Sequence, residues 1–342
     1  MEFKTDTLSP ANTLNPQAVS SLMRDVAYAL LPGTLVMFYF FGWGVLLNIS
    51  LAITFAIILE SFMLYLRQRP IRPFLGDYSA LVTAWLLGLS LPPLAAWWLI
   101  LVAIFFAIVI AKHLYGGLGY NPFNPAMVGY AVVLISFPIE MTQWLSAQYF
   151  HAELFSFTES LNTVFFGLSH TQWDALTSAT PLDHLKTNLH LNITISESMN
   201  SEQYGWLAGK GWEWISLAFL MGGVWLIYRK VITWHIPFAF LLGLTLIASF
   251  FWLWDSESYA SPLFHVLSGA AILGAFFIAT DPVSASTTPT GKLIYAAGIG
   301  LSTYIIRTWG GFPDGVAFSV IIMNMAVPLI DYYTKPRVFS MS

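Results

Sequence analysis

Residues 48–66 read NISLAITFAIILESFMLYL, a run whose only charged side chain is Glu60. As a helix rising 1.5 Å per residue, a run of this length spans about 30 Å, the thickness of bilayer hydrocarbon. Working outward, ten comparable apolar runs lie at roughly 26–46, 48–66, 78–95, 96–113, 125–145, 213–229, 233–254, 262–280, 291–308 and 314–332. Several are separated by only a few residues, so those pairs are expected to form tight helical hairpins. The first run is too long for the core of a signal peptide and is expected to remain as a span.

Composition agrees. With 57% apolar and 9% charged residues, too little polar surface remains to cover a soluble fold of this size, and lipid has to cover the rest. The 14 Trp, 15 Tyr and 27 Phe suit aromatic belts at two interfaces. A formal net charge of −4 leaves no basic footprint for nucleic acid. The absence of Cys excludes disulfides, iron–sulfur ligation by this chain, c-type haem attachment and a thiol nucleophile, so a redox role needs an organic cofactor.

Short loops rich in Lys and Arg stay in the cytoplasm. With the N-terminus inside, Lys4, Arg24, Arg67, Arg69, Arg72, Lys112, Arg229, Lys230, Lys292, Lys335 and Arg337 fall on the cytoplasmic side, eleven of the 14 basic residues. Glu153, Glu159, Asp174, Asp183, Glu197, Glu202, Asp255 and Glu257 collect on the other. The expected fold is therefore an all-α polytopic membrane protein of about ten transmembrane helices. It divides into an N-terminal membrane repeat (1–145), a polar extracytoplasmic segment (146–212) and a C-terminal membrane repeat (213–342), with both termini cytoplasmic. Five spans on each side of the polar segment make the repeats inverted. Gly116-Gly117-Leu118-Gly119 with Asn121-Pro122-Phe123-Asn124-Pro125 opens the fifth run, and Gly310-Gly311-Phe312-Pro313-Asp314-Gly315 opens the tenth. Such matched breaks in inverted repeats commonly meet at a functional site; each alone also reads as a simple helix end.

Ionisable residues within spans are costly. Glu60 is the clearest, a candidate for an ion path or an interface-facing carboxylate. Asp77 and Asp314 sit where carboxylates cap helix starts. His235 and His265 open their spans from opposite faces, which argues against a shared b-type haem. No metal site and no catalytic residue of a stand-alone enzyme emerge. In the polar segment, Asp174-Ala175-Leu176-Thr177-Ser178-Ala179-Thr180-Pro181-Leu182-Asp183 reads locally as a helix start. Thr180 is its N-cap, Pro181 lies in the first turn and Asp183 follows three residues on.

Several longer stretches carry a resemblance: Asp77-Tyr78-Ser79-Ala80-Leu81-Val82-Thr83 with Pro92-Pro93, Lys112 to Tyr130, Gly274 to Val283, and Gly310 to Phe318 with Pro328 to Tyr333. They are similar, over nearly the whole chain, to the RnfD/NqrB family, which comprises the RnfD/RsxD component of Rnf/Rsx-type ion-motive electron transport complexes and its paralogue in sodium-pumping quinone reductases. Gly76-Asp77-Tyr78 departs in a minor way from the Asp-Gly usual there. The resemblance implies a component of a translocase-type oxidoreductase in the bacterial inner membrane, with residues 146–212 periplasmic. It implies FMN joined through its phosphate to Thr180 by a flavin transferase, with Asp174, Ser178 and Ala179 in the recognised motif. Iron–sulfur and flavin-bearing proteins of the Rnf/Rsx complex would be its partners, and Na⁺ or H⁺ its coupling ion. A second, noncovalent flavin (FMN or riboflavin) between the halves is also implied, with Asn121, Asn124 and Asp314 as candidate ligands. The alternative is a channel or transporter without a redox role, since the family also resembles urea-channel folds; a purely structural scaffold is a third.

Overall fold

The computed structural model describes residues 16–147, 155–168, 173 and 176–335. Helix is the dominant structure in these residues, and among them two isolated bridges, Leu145 with Thr177 and Tyr204 with Gly209, are the β-pairing present. Helix occurs in each of the ten apolar runs. Among the described residues, three helices are long and apolar enough to cross a membrane: α2 (Trp43–Leu66), α12 (His235–Trp254) and α16 (Val316–Thr334). The remaining runs are occupied by α1 (Pro16–Phe41), α4 (Ser79–Ser90), α5 (Trp97–Phe105, continuing as a π-helix over Phe106–His113), α6 (Pro125–Ser136), α11 (Trp212–Tyr228), α13 (Pro262–Leu267), α14 (Ala271–Leu273, continuing as a π-helix over Gly274–Ile278) and α15 (Pro289–Trp309). A short helix, α3 (Ile71–Leu75), precedes α4, and another, α7 (Pro138–Thr142), follows α6.

Gly42 alone joins α1 to α2, at φ 71°, a left-handed conformation that favours glycine. Elsewhere glycine lets backbones approach. A Cβ on Gly222 of α11 would stand 2.0 Å from Ala29 O of α1, and one on Gly300 of α15 would stand 2.2 Å from Phe240 O of α12. Small residues at such crossings are how helices pack closely where lipid supplies no hydrophobic drive.

Three runs expected as long single spans are shortened or broken. α4 has 12 residues and stops before Pro92-Pro93, because proline cannot donate to the helical ladder. The irregular stretch behind it is buried at Leu91, Leu94 and Ala95 and is tied down by Asn48 Nδ2, which donates to Pro92 O at 2.8 Å. α6 ends before Pro138. The eighth run breaks between α13 and α14 at Ser268-Gly269-Ala270, with Gly269 at φ 63°. Irregular backbone at such depth is tolerated only where protein surrounds it.

The polar segment holds α8 (Phe157–Phe166), α9 (Pro181–His190) and α10 (Ile195–Met199). It owns a small second core, in which Leu182, Leu185, Ile195, Tyr204 and Ala208 pack on Ala260, Phe264 and Leu267 of the C-terminal half. Ile195 N donates to Glu257 O at 2.9 Å, and Ser178 N to Trp144 O at 2.9 Å. The segment is therefore folded down on the helices and presents the start of α9 to them.

Candidate functional site

Thr180 is the N-cap of α9: its Oγ1 accepts from Asp183 N at 3.4 Å. This half of the expected capping box forms, which satisfies one of the orphan donors of the first turn. Of the three hydroxyls in the motif, Thr177 Oγ1 donates to Trp173 O at 2.9 Å and Ser178 Oγ to Ala179 O at 3.2 Å. The Thr180 hydroxyl has no acceptor for its own proton among the described residues, and it lies on the rim of a cavity. Ala179 stands beside it, half-buried. Asp174 lies outside the described residues.

The cavity measures about 280 Å³ and runs inward between the two halves, close to the lower end of small-ligand pockets at roughly 300 Å³. Tyr130 and Met127 of α6, Trp144, Trp212 and Phe219 of α11, and Phe312 line it. Trp144 and Trp212 lie with ring centroids 5.3 Å apart, and Phe41 closes the cluster at 6.0 and 5.5 Å. The polar contributions are Asp183, Ser90, Thr142, Ser216 and Asp314. Thr180 thus shares a cavity with a cluster of aromatic rings tilted against one another.

Asp314 belongs to this cavity and to its floor. Its Oδ2 accepts from Ala270 N at 2.7 Å and its Oδ1 from Arg307 Nε at 3.1 Å and Val316 N at 3.3 Å. Arg307, buried, also donates to Ser268 O at 3.1 Å and to His265 O. One ion pair therefore holds both the broken eighth run and the start of α16. Asp77 similarly holds the start of α4, its Oδ1 accepting from Ser79 N at 2.7 Å. Neither carboxylate is the N-cap, a place taken by Tyr78 and Gly315; each stands one residue earlier and accepts from the first helical N–H, and at Asp314 the arginine was not legible.

Lys186 fastens α9 in place. Its Nζ donates to Ile306 O at 3.4 Å, to Phe312 O at 3.0 Å and, more closely, to Gly310 O. These are carbonyls at the C-terminal end of α15 and in the following turn, where a cation is favoured. Burial pulls its ammonium below the ordinary lysine range, and the neighbouring Asp183 carboxylate partly opposes this.

Asn121 and Asn124 do not meet Asp314. They line a smaller cavity of about 100 Å³ at the opposite end, with Ser79, Thr83, Lys112 and Asp281. Asn124 is the N-cap of α6, its Oδ1 accepting from Met127 N at 3.2 Å while its Nδ2 donates to Ile278 O at 3.1 Å. Asn121 Nδ2 donates to Phe123 O at 3.0 Å, and its buried Oδ1 has no partner among the described residues. The two cavities stand back to back: Met127 and Ile278 line the larger, Ala126 and Phe277 the smaller.

Glu60 is buried and paired. Lys112 Nζ lies 2.8 Å from its Oε1 and donates to Ser79 Oγ at 3.0 Å, while His113 Nε2 stands 3.1 Å from Oε2. Arg67 Nη1 is 3.1 Å from His113 Nδ1. Because guanidinium only donates, that nitrogen is the acceptor and Nε2 carries the proton, close to Glu60 Oε2 but not aligned for a hydrogen bond with it. The π-helix at the end of α5 contributes both Lys112 and His113. Lys112, counted from sequence among the cytoplasmic loop charges, is thus a buried partner inside the helix bundle.

Comparison with known proteins places this architecture. The NQR2, RnfD, RnfE family model matches residues 8–340. A protein of Vibrio atlanticus, named as the D subunit of an ion-translocating oxidoreductase complex, is 53% identical over 334 residues, covering 95% of this chain and 96% of the relative. Its namesake in Aliivibrio salmonicida is 51% identical over 332 residues, covering 94% and 95%. One from Yersinia pseudotuberculosis is 50% identical over 336 residues, covering 96% of each. With matches that run almost end to end on a chain whose helices occupy every apolar run, the protein belongs to the NQR2, RnfD, RnfE family.

Proposed function

We propose that this chain is the D-type membrane component of an ion-translocating oxidoreductase complex, and that it carries FMN as a phosphoester on Thr180. The observation that carries this reading is the Thr180 hydroxyl, which has no acceptor for its proton among the described residues and lines a cavity with Trp144, Trp212, Tyr130 and Phe219. When bound, FMN supplies exchange of one or two electrons. Thr180 would hold its phosphate at the N-terminus of α9, where backbone N–H groups and the helix dipole favour an anion. The aromatic wall suits a flat heteroaromatic ring and excludes water from it. Attachment would require a flavin transferase, and the electrons would come from and go to iron–sulfur and flavin-bearing partner proteins of the complex.

In this reading the chain spans the bacterial inner membrane as two inverted five-helix repeats, residues 1–145 and 213–342, with residues 146–212 periplasmic. The break after α4 and the break between α13 and α14 fall in the third span of each half, in keeping with such a relation. Asn124 and Asn121, whose Oδ1 has no partner among the described residues, line a cavity of about 100 Å³, so a second, noncovalent flavin there would require its walls to open. Asp314 sits with Thr180 instead. Glu60 contributes to Na⁺ or H⁺ movement only if its pairing with Lys112 can open.

A second reading, a channel or transporter without redox role, is favoured by the two cavities standing back to back across Asn124–Met127 and Gly274–Ile278. One experiment separates them. Protein produced with its transferase, denatured and run on a gel, is expected to show ultraviolet-excited flavin fluorescence that disappears in Thr180→Val. No fluorescence in the unsubstituted protein overturns the covalent flavin, and fluorescence surviving in Thr180→Val overturns the assignment to Thr180.

A further inference from the structure

The helix α8 (Phe157–Phe166) has three faces where a helix of a water-exposed loop has two. At 100° per residue, Ser160, Thr163 and Val164 share one face, and all three are buried against the protein. Thr158, Glu159 and Asn162 share a second, which is exposed and polar except at its last residue, Phe166, 86% exposed at the end of the helix. Phe157, Leu161 and Phe165, spaced four apart, form a third stripe about 80° wide between the other two, and they are 48%, 36% and 41% exposed. The buried face carries two hydroxyls, and the apolar stripe has no cover among the described residues.

The stripe does not begin in open water. Phe157 meets Trp43 edge to face, with centroids 5.4 Å apart. Trp43 is the first residue of α2, one of the helices long and apolar enough to cross a membrane, and is itself 40% exposed. Along the same side of α2, Ser50 and Thr54 and then Ile57, Ile58 and Phe62 are exposed. The stripe therefore adjoins one end of a helix long and apolar enough to cross a membrane, and aromatic rings at such ends settle at headgroup depth. The helix also starts firmly without help from a partner: Ser156 and Glu159 form a reciprocal capping box, with Ser156 N donating to Glu159 Oε2 at 2.8 Å and Glu159 N to Ser156 Oγ at 3.3 Å.

We propose that α8 lies in the plane of the membrane surface, with Phe157, Leu161 and Phe165 inserted among the lipids of the leaflet that adjoins Trp43, and with Thr158, Glu159 and Asn162 turned to water. An interfacial helix sinks its apolar side about 5–10 Å into the headgroup and acyl boundary. The helix then acts as an outrigger that fixes the height of the polar segment above the bilayer. The inference is independent of any flavin on Thr180.

The chain contains no Cys, so single-Cys variants can be spin-labelled at chosen positions. Leu161→Cys, Phe165→Cys, Thr158→Cys and Asn162→Cys are labelled in the full chain in lipid nanodiscs and again in the assembled complex, with the unsubstituted chain supplying the background. The expected result is several-fold greater collision with dissolved oxygen than with a water-soluble nickel chelate at 161 and 165, and the reverse at 158 and 162, in both preparations. Water-like accessibility at 161 and 165 overturns the proposal. So does shielding of 161 and 165 from both reagents in the complex together with water-like exposure in the isolated chain, which assigns the stripe to a partner protein. Because all four positions are exposed, the substitutions are expected to leave the fold intact, and a thermal midpoint for each variant equal to that of the unsubstituted chain is the intact-fold control.

Discussion

Lys186 Nζ donates to Phe312 O at 3.0 Å, so the helix that Thr180 opens is bolted to the glycine-rich turn leading into α16. The three carbonyls that share the ammonium have no other cation among the described residues, and Thr180 is thereby held over the cavity rather than left on a free loop. Lys186→Met is expected to keep the covalent flavin band on a denaturing gel while lowering electron flow through the assembled complex by roughly tenfold to a hundredfold, the scale on which small misplacements act. Unchanged electron flow would show that the clamp has no part in positioning Thr180.

Glu60 and Lys112 form a buried pair at 2.8 Å. Removing one member leaves a buried charge alone, at a cost of about 3–5 kcal/mol, whereas removing both together costs far less. Glu60→Gln is therefore expected to lower the unfolding temperature of the solubilised protein sharply, and Glu60→Gln with Lys112→Met to restore most of it. Ion transport measured in the double variant then separates roles: retained transport makes the pair structural, and lost transport in a well-folded protein makes it part of the path.

Two glycines predict opposite tolerances. At Gly222 a Cβ meets Ala29 O, which is backbone, at 2.0 Å; at Gly298 it meets the flexible end of Met323, Cε, at 2.5 Å. Gly222→Ala is expected to destabilise by about 1–3 kcal/mol through overpacking, read as a lower thermal midpoint, while Gly298→Ala leaves it nearly unchanged.

The extramembrane segment is expected to loosen in mild acid. Tyr204 OH donates to Pro181 O at 3.1 Å and lies 2.9 Å from His184 Nδ1. Burial pulls the His184 imidazole below its ordinary 6.5, with Asp183 partly opposing. The folded form thus binds that proton less readily than the unfolded chain, so its contribution is complete above pH 6.5 and is lost as pH falls through the lowered folded value. Asp183, raised above 3.8 by burial, acts in the opposite sense at lower pH. Amide-exchange protection over residues 181–204, corrected for intrinsic rates, should fall as pH drops below the ordinary imidazole value of 6.5, and His184→Gln should abolish that dependence.

What was legible in the sequence follows from how local each signal is. A span is a property of about 20 consecutive residues, so every expected run holds helix, and the stops at Pro92, Pro138 and Gly269 could be suspected from residue type alone. Thr180 was legible as N-cap from the residues next to it. Glu60 was legible as costly, but not its partner, because Lys112 is 52 residues away and His113 joins it only through a π-turn. Asp314 was grouped with Asn121 and Asn124 because all three follow matched glycine-rich breaks. The fold instead sends the asparagines to one cavity and the aspartate to the other.

By itself the sequence determined the membrane class, the ten apolar runs, the family and the hydroxyl motif, because hydropathy, charge placement and motif are written in neighbouring residues. Only the tertiary structure decided that Thr180 overlooks an aromatic cavity, that Lys186 holds it there, and that part of the polar segment turns an apolar stripe outward beside Trp43. Each of these depends on surfaces brought together from distant parts of the chain, such as Lys186 and Phe312 at a separation of 126 residues, and packing of that kind has no signature in any one stretch.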